Sequence, residues 1–190
     1  MTNFLNLAVT PIRVSVIALG LAFVSAQLLG APAFAASSDP TPAPAPKKCK
    51  RGYVWSKKLK KCVRRTSEIL TDDDFYAQAW VHAKTGEHQT ALDLLWRIKN
   101  QKQAKVLNYI GYNTRKLGRV EEGIGYYHKA LAVNPNYNKA REYLGEGYLQ
   151  TGNLAKAKAE LSEIETRCGR DCNEYQQLAK AISDFKTRLN

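Results

Sequence analysis

The sequence predicts an all-α fold, a solenoid of helix-turn-helix repeats closed by a C-terminal capping helix. The first observation is an internal repeat, because Ile110–Gly111 and Leu144–Gly145 stand 34 residues apart, as do Gly118 and Gly152. A fixed period of this length is typical of stacked helical units. The second observation is that apolar and small residues recur at helical spacing in each unit, which gives the first helix of the unit one face to bury.

The pattern predicts helices at 74–84, 88–101, 104–116, 120–132, 138–150, 154–166 and 173–188. The first helix begins in the acidic run at 71–74, since carboxylates stabilise a helix N-terminus. A glycine lies in the turn inside each unit, because glycine adopts backbone conformations that other residues resist. The last helix repeats the apolar pattern of the first helices at Tyr175, Leu178, Ala179 and Ile182. We therefore expect it to close the array, since three repeats and a cap are about the minimum for stability.

These residues resemble the tetratricopeptide repeat family. The second unit carries the family pattern at Leu107, Ile110–Gly111, Gly118, Tyr127, Ala130 and Pro135. The third unit carries it at Leu144–Gly145, Tyr148, Gly152, Ala157 and Leu161, and the first unit at Phe75, Ala79, Gly86, Ala91 and Leu95. The resemblance covers residues 72–188. It implies three tetratricopeptide-like repeats with a capping helix in a small exported bacterial protein, and a binding module rather than a catalyst.

The resemblance also implies a concave groove lined by the first helices, which would bind a protein or peptide partner. The side chains expected on this face are Tyr76, Trp80, Lys84, Lys105, Asn108, Tyr112, Arg115, Lys116, Lys139, Glu142, Glu146 and Gln150. The alternative is that they are ordinary solvated helix residues. The family's carboxylate-gripping set of Lys, Asn and Arg is not reproduced, so a clamp for peptide C-termini is not implied.

The N-terminal segment predicts export. Arg13 is the only charged side chain before Asp39, an apolar run follows it, and Ala33 and Ala35 form a small-x-small cleavage pattern. This pattern indicates a signal peptide at 1–35 and a periplasmic or secreted protein, with an uncleaved anchor as the alternative. Alternating Pro and Ala at 36–46 predict a semi-rigid linker that holds the next segment away from the rest.

Positive charge is concentrated directly after this linker. The formal net charge of the chain is +12, and residues 47–65 hold ten Lys and Arg and no acid. The predicted repeat domain at 66–190 holds 18 bases and 16 acids. The body is therefore nearly neutral, and the basic segment is a separate feature.

The four cysteines form two local pairs, Cys49 with Cys62 and Cys168 with Cys172. Disulfides are expected in an exported chain. A four-thiolate zinc site is the alternative, but the two spacings suit it poorly. No metal or cofactor is predicted.

A disulfide between Cys49 and Cys62 would turn residues 47–65 into a basic cysteine loop. Its lysines Lys57, Lys58, Lys60 and Lys61, with Trp55, could bind an anionic envelope component such as lipid, lipopolysaccharide or wall polymer. Export argues against nucleic acid, despite a composition suited to phosphate. The alternative is a solvated charge run.

No catalytic motif supports an enzyme. His82, His88 and His128 do not have metal-binding spacing, and no nucleophile or phosphate-binding motif occurs. The sequence therefore predicts a non-enzymatic, exported adaptor that binds a protein or peptide in its groove. The alternative function is envelope-anion binding through the basic cysteine loop.

Overall fold

A computed structural model describes residues 47–189, which form one small β-hairpin followed by seven α-helices. The predicted signal peptide and linker lie outside the described residues. Among the residues that are described, no helix is both long and apolar enough to cross a lipid bilayer.

The helices pair in chain order, as the repeat predicts. Their bounds are α1 Asp72–Lys84, α2 His88–Leu95, α3 Ala104–Lys116, α4 Val120–Val133, α5 Asn138–Gln150, α6 Leu154–Cys168 and α7 Asn173–Thr187. Within each unit α1 packs on α2, α3 on α4 and α5 on α6, and α7 packs on both α5 and α6. The predicted helical solenoid with three repeats and a capping helix is confirmed.

Close helix packing in the second repeat depends on two glycines. A Cβ atom added to Gly111 would lie 2.8 Å from the Tyr127 ring, and one added to Gly123 would lie 2.9 Å from the carbonyl oxygen of Gly111. Such distances are too short for a side chain, so α3 and α4 approach as closely as they do only because both positions lack one. This approach buries the Tyr127 side chain completely.

The sequence predicted that the second helix ends at residue 101, but α2 ends at Leu95. The Asp72 carboxylate accepts hydrogen bonds from the backbone N–H groups of Lys99 and Asn100, at 2.9 and 3.1 Å. The Gln101 amide donates to the Leu95 carbonyl at 3.0 Å. These side chains satisfy backbone groups that a longer helix would pair internally, and they hold the chain in a turn.

The basic cysteine loop is a β-hairpin with a disulfide. Strands β1 Tyr53–Ser56 and β2 Lys61–Arg64 pair antiparallel, with Tyr53 opposite Arg64. Cys49 and Cys62 are bonded to each other, and so are Cys168 and Cys172 between α6 and α7. Both predicted pairings are therefore present in the structure. We call residues 47–65 the basic hairpin.

The basic hairpin is docked on α1, which corrects the prediction that it is held away from the rest. Val54 is fully buried in the core cluster that also contains Phe75. The Gln78 side-chain oxygen accepts a hydrogen bond from the Trp55 N–H at 3.0 Å. The Asp74 carboxylate accepts one from the Lys57 N–H at 3.1 Å. The hairpin thus covers part of the surface that α1 would otherwise leave exposed.

Candidate functional site

Four tyrosine rings form a continuous row across α1, α3 and α5. The ring centroids of Tyr76 and Tyr109 are 5.5 Å apart, those of Tyr109 and Tyr112 are 5.6 Å apart and stacked, and those of Tyr112 and Tyr143 are 5.0 Å apart. Aromatic pairs at such distances contribute about 0.5 to 1.5 kcal/mol each beyond the area that they bury. We call these four residues the tyrosine row.

Cationic side chains lie over the rings of the tyrosine row. The Lys105, Lys116 and Lys139 amines are 5.2, 5.6 and 5.4 Å from the centroids of Tyr76, Tyr112 and Tyr143, respectively. These distances are in the range of a cation–π interaction. In α1, Lys84 lies 5.5 Å from the Trp80 ring in the same manner. The first helices therefore present an aromatic surface with positive charge above it.

Nine of the twelve predicted groove residues are partly or fully exposed. Tyr76, Trp80, Lys105, Tyr112, Lys139 and Glu146 are partly exposed, and Lys84, Lys116 and Gln150 are exposed. The sequence reasoning missed Tyr109 and Tyr143, although the 34-residue interval between them repeats the period of the array. That interval was the signal that could have found them.

Three predicted groove residues are buried, which corrects the expectation that they face solvent. Arg115 is 3% exposed, Asn108 2% and Glu142 3%. The Asn108 amide donates to the Tyr137 hydroxyl at 3.4 Å, and so connects α3 to the segment before α5. For all three, packing between neighbouring helices accounts for the burial.

Arg115 lies at the junction of three helices. Its guanidinium donates to the Tyr127 hydroxyl of α4 at 3.1 Å and to the Glu146 carboxylate of α5 at 2.5 Å. Burial raises the pKa of Tyr127 to about 12, so this hydroxyl stays protonated at neutral pH. The Arg115–Glu146 pair therefore links the second repeat to the third.

Glu142 belongs to a small charged cluster between α5 and α7. Burial raises the pKa of Glu142 to about 7, and the nearby Glu146 and Glu174 act in the same direction. The Lys139 amine opposes this shift from 2.8 Å. Glu142 thus changes its charge near neutral pH.

A cavity of about 450 Å³ opens at one end of this surface. It is lined by Arg115, Lys116, Glu146, Leu149, Gln150, Ala181, Asp184, Phe185, Arg188 and Leu189. Half of these residues come from α7 and the residues just after it. The sequence reasoning gave α7 only a capping role, although Ala181, Phe185 and Leu189 recur every four residues on one helical face.

The histidines and cysteines have structural partners in the described part of the chain. His82, His88 and His128 contact Glu87, Asn113 and Tyr148, respectively. The one group of potential metal ligands among residues 47–189 is Cys168, Cys172 and Glu174. Because the two sulfur atoms are bonded to each other, they are not thiolate ligands.

The architecture is that of a helical repeat protein whose first helices carry aromatic rings with cationic side chains above them. Residues 115–182 match the sequence model of a tetratricopeptide repeat. No curated protein sequence matches the chain significantly. The match at residues 115–182 covers α4, α5, α6 and most of α7, and the described helices have the fold of a helical repeat array.

Solved structures support this assignment at the level of the fold. One similar structure is the type III secretion chaperone SycD of Yersinia enterocolitica in complex with a peptide of the translocator YopD. Its TM-score to this protein is 0.53 at 16% sequence identity, and the alignment covers 65% of this chain and 100% of SycD. The second repeat domain of human RPAP3, in complex with an HSP70 peptide, has a TM-score of 0.51 and 18% identity, covering 59% and 92%. MamA has a TM-score of 0.52 and 18% identity, covering 62% and 70%.

Proposed function

We propose that this protein is an exported adaptor that binds a segment of a partner protein in the groove formed by α1, α3, α5 and α7. The observation that carries the proposal is the tyrosine row with cations above it; one of these cations, Lys116 over Tyr112, also lines the cavity. Tyr76, Tyr112 and Tyr143 of this row are partly exposed, whereas Tyr109 is buried. Partly exposed aromatic residues are enriched at protein interfaces, because they bury a large area at a small cost in conformational entropy. Export rests on the predicted signal peptide.

The chemistry of the groove suits a segment with acidic side chains and one large apolar side chain. Lys84, Lys116 and Arg188 have no ion pair within the described residues, so their charges are available to carboxylates. Leu149, Phe185 and Leu189 give the cavity an apolar wall. An apolar side chain would enter the cavity, and the carboxylates would lie along the tyrosine row. SycD and RPAP3, which share the fold, were solved with bound peptides.

Site-specific photocrosslinking tests the proposal. The protein is produced in its native host with a photoreactive phenylalanine derivative in place of Lys116, which lines the cavity. In the control protein the same derivative replaces Lys158, which is exposed on α6. We expect a discrete crosslinked partner from position 116 only. The Tyr112→Ala and Phe185→Ser variants should reduce the yield of this product, because each removes part of the surface. Equal crosslinking from both positions, or an unchanged yield in both variants, would contradict the proposed groove.

A further inference from the structure

The basic hairpin displays a dense set of unpaired charges. All ten of its Lys and Arg residues are exposed. Within the described part of the chain, only Lys48 of these ten forms an ion pair, with Glu87. Buried Val54 and Ser56 face the protein instead, so one side of the hairpin is packed and the charges remain outside. An ordinary solubilising surface would intersperse acids among these bases, and this segment has none.

The tip of the hairpin has a fixed backbone conformation. The Lys60 N–H donates to the Ser56 carbonyl at 2.8 Å, and the Leu59 N–H donates to the Ser56 hydroxyl at 3.2 Å. The Lys57 N–H is bonded to Asp74 of α1, and the Cys49–Cys62 disulfide closes the base. Preorganised groups lose less conformational entropy on binding than a flexible tract of the same composition.

An exposed apolar side chain lies at this tip among the charges. Leu59 is 42% exposed, and it stands between Lys57–Lys58 and Lys60–Lys61 in the sequence. A soluble anionic polymer would be recognised by the cations alone. A membrane surface offers both anionic headgroups for the lysines and an apolar layer for the leucine.

We propose that the tip of the basic hairpin docks on a membrane surface that carries anionic phospholipid headgroups. The lysines contact the phosphates, and Leu59 enters the boundary between headgroups and acyl chains. The tip residues are not among those that line the groove, so membrane docking and partner binding would use different side chains. Membrane docking goes beyond the proposed adaptor function and does not depend on that function.

Vesicle co-sedimentation tests this docking with the full chain. Vesicles of phosphatidylglycerol and phosphatidylcholine are compared with vesicles of phosphatidylcholine alone, at about 0.1 M salt, where charges interact over about 10 Å. The variant K57Q/K58Q/K61Q should bind the anionic vesicles about 100-fold more weakly than the parent. Each basic residue near such a surface contributes about 1 kcal/mol, and 1.4 kcal/mol corresponds to tenfold.

The matched control is K102Q/K158Q/K186Q, which removes three exposed lysines that form no ion pair with any residue in 47–189. It has the same net charge and the same residues 1–46 as the hairpin variant, so a difference between the two reports on the hairpin. We expect less than about threefold weakening in the control. Equal weakening in both triple variants, or no preference of the parent for anionic vesicles, overturns the proposal.

Leu59→Ser separates a membrane from a soluble polyanion. It should weaken vesicle binding about tenfold, which is the effect of withdrawing one leucine from an apolar phase, and leave binding to polyphosphate unchanged. If Leu59→Ser binds vesicles as well as the parent does, the hairpin is a general polyanion site and the membrane proposal is wrong. Circular dichroism of each variant should show the melting curve of the parent.

Discussion

Arg115 joins three helices through one buried guanidinium. Its side chain is 1% exposed, whereas the partner carboxylate of Glu146 is 29% exposed. A buried pair of this kind contributes little net stability compared with apolar residues, but removing one partner is costly because the other charge loses its compensation. Helical spacing placed Arg115 among the solvent-facing groove residues of α3. It could not show that the long side chain turns towards Tyr127 instead of solvent.

The Arg115→Ala variant should therefore be destabilised by about 2 to 4 kcal/mol, because it leaves Glu146 and the buried Tyr127 hydroxyl without their donor. The measurement is the free energy of unfolding from urea titrations at pH 7. Lys116→Ala is the matched control, since Lys116 is the next residue, lines the same cavity and is exposed. It should change the free energy by no more than about 0.5 kcal/mol. Equal stability of the two variants would show that Arg115 is not a structural junction.

At the scale of single elements, helix bounds follow the period of the sequence where packing is regular. Helices α3 and α5 begin and end at the predicted residues, 104–116 and 138–150. Helix α1 begins two residues before the predicted 74, because Thr71 forms a capping box with Asp74. The early end of α2 was not predictable from its own residues, since it depends on Asp72 from another helix.

The docking of the basic hairpin on α1 could not be predicted from the sequence pattern either. Asp74 and Gln78 lie one turn apart on α1 and are 2% and 0% exposed, although polar residues at helical spacing usually indicate a solvated face. They bind backbone groups of the segment at Lys57 and Trp55. A local sequence pattern contains no information about such a distant backbone partner.

The Gln78→Ala variant should loosen the hairpin, because it leaves the Trp55 N–H without its acceptor. We expect a loss of about 1 to 3 kcal/mol in the free energy of unfolding, the cost of an unsatisfied buried group. Hydrogen exchange should become faster at the Trp55 amide and stay unchanged in α5. The control is exposed Gln177 of α7, whose replacement by Ala should alter neither quantity. Unchanged protection of the Trp55 amide in Gln78→Ala would rule out this contact as the anchor.

At the scale of the whole described molecule, the repeats are covered at both ends. The basic hairpin packs on α1, and α7 packs on α5 and α6. Terminal elements of this kind are needed in a solenoid, because the outer repeats have no neighbour to bury their apolar faces. The sequence predicted the cap formed by α7, since its apolar pattern is local. The role of the hairpin emerges only from tertiary contacts.

The C-terminal cap is joined to the third repeat through charged as well as apolar residues. Leu178 packs so closely on α5 that a Cβ atom on Gly145 would lie 2.6 Å from it. Beside this contact, the Lys139 amine lies 2.8 Å from the Glu142 carboxylate and 4.0 Å from that of Glu174. One lysine and two buried acids therefore share a site.

This cluster should make global stability depend on pH. The pKa of Glu142 is about 7 in the folded protein, against an ordinary 4.5. Between these values the folded state holds a proton that the unfolded chain releases, so stability is greatest below pH 4.5 and falls as pH rises to about 7. A rise of this size corresponds to about 3 kcal/mol.

Glu142→Gln removes this titration and keeps a group of similar size that can bind Lys139. Urea unfolding of the parent and the variant at pH 5, 6, 7 and 8 measures the difference between their free energies of unfolding. Relative to Glu142→Gln, the parent should lose about 2 to 3 kcal/mol over this range, most of it below pH 7. The rest of the sequence is the same in both proteins, so other contributions cancel in the difference. If the difference in free energy of unfolding between the two proteins does not change with pH, Glu142 is ionised over the whole range. The contact between α7 and the third repeat then does not depend on a proton on Glu142.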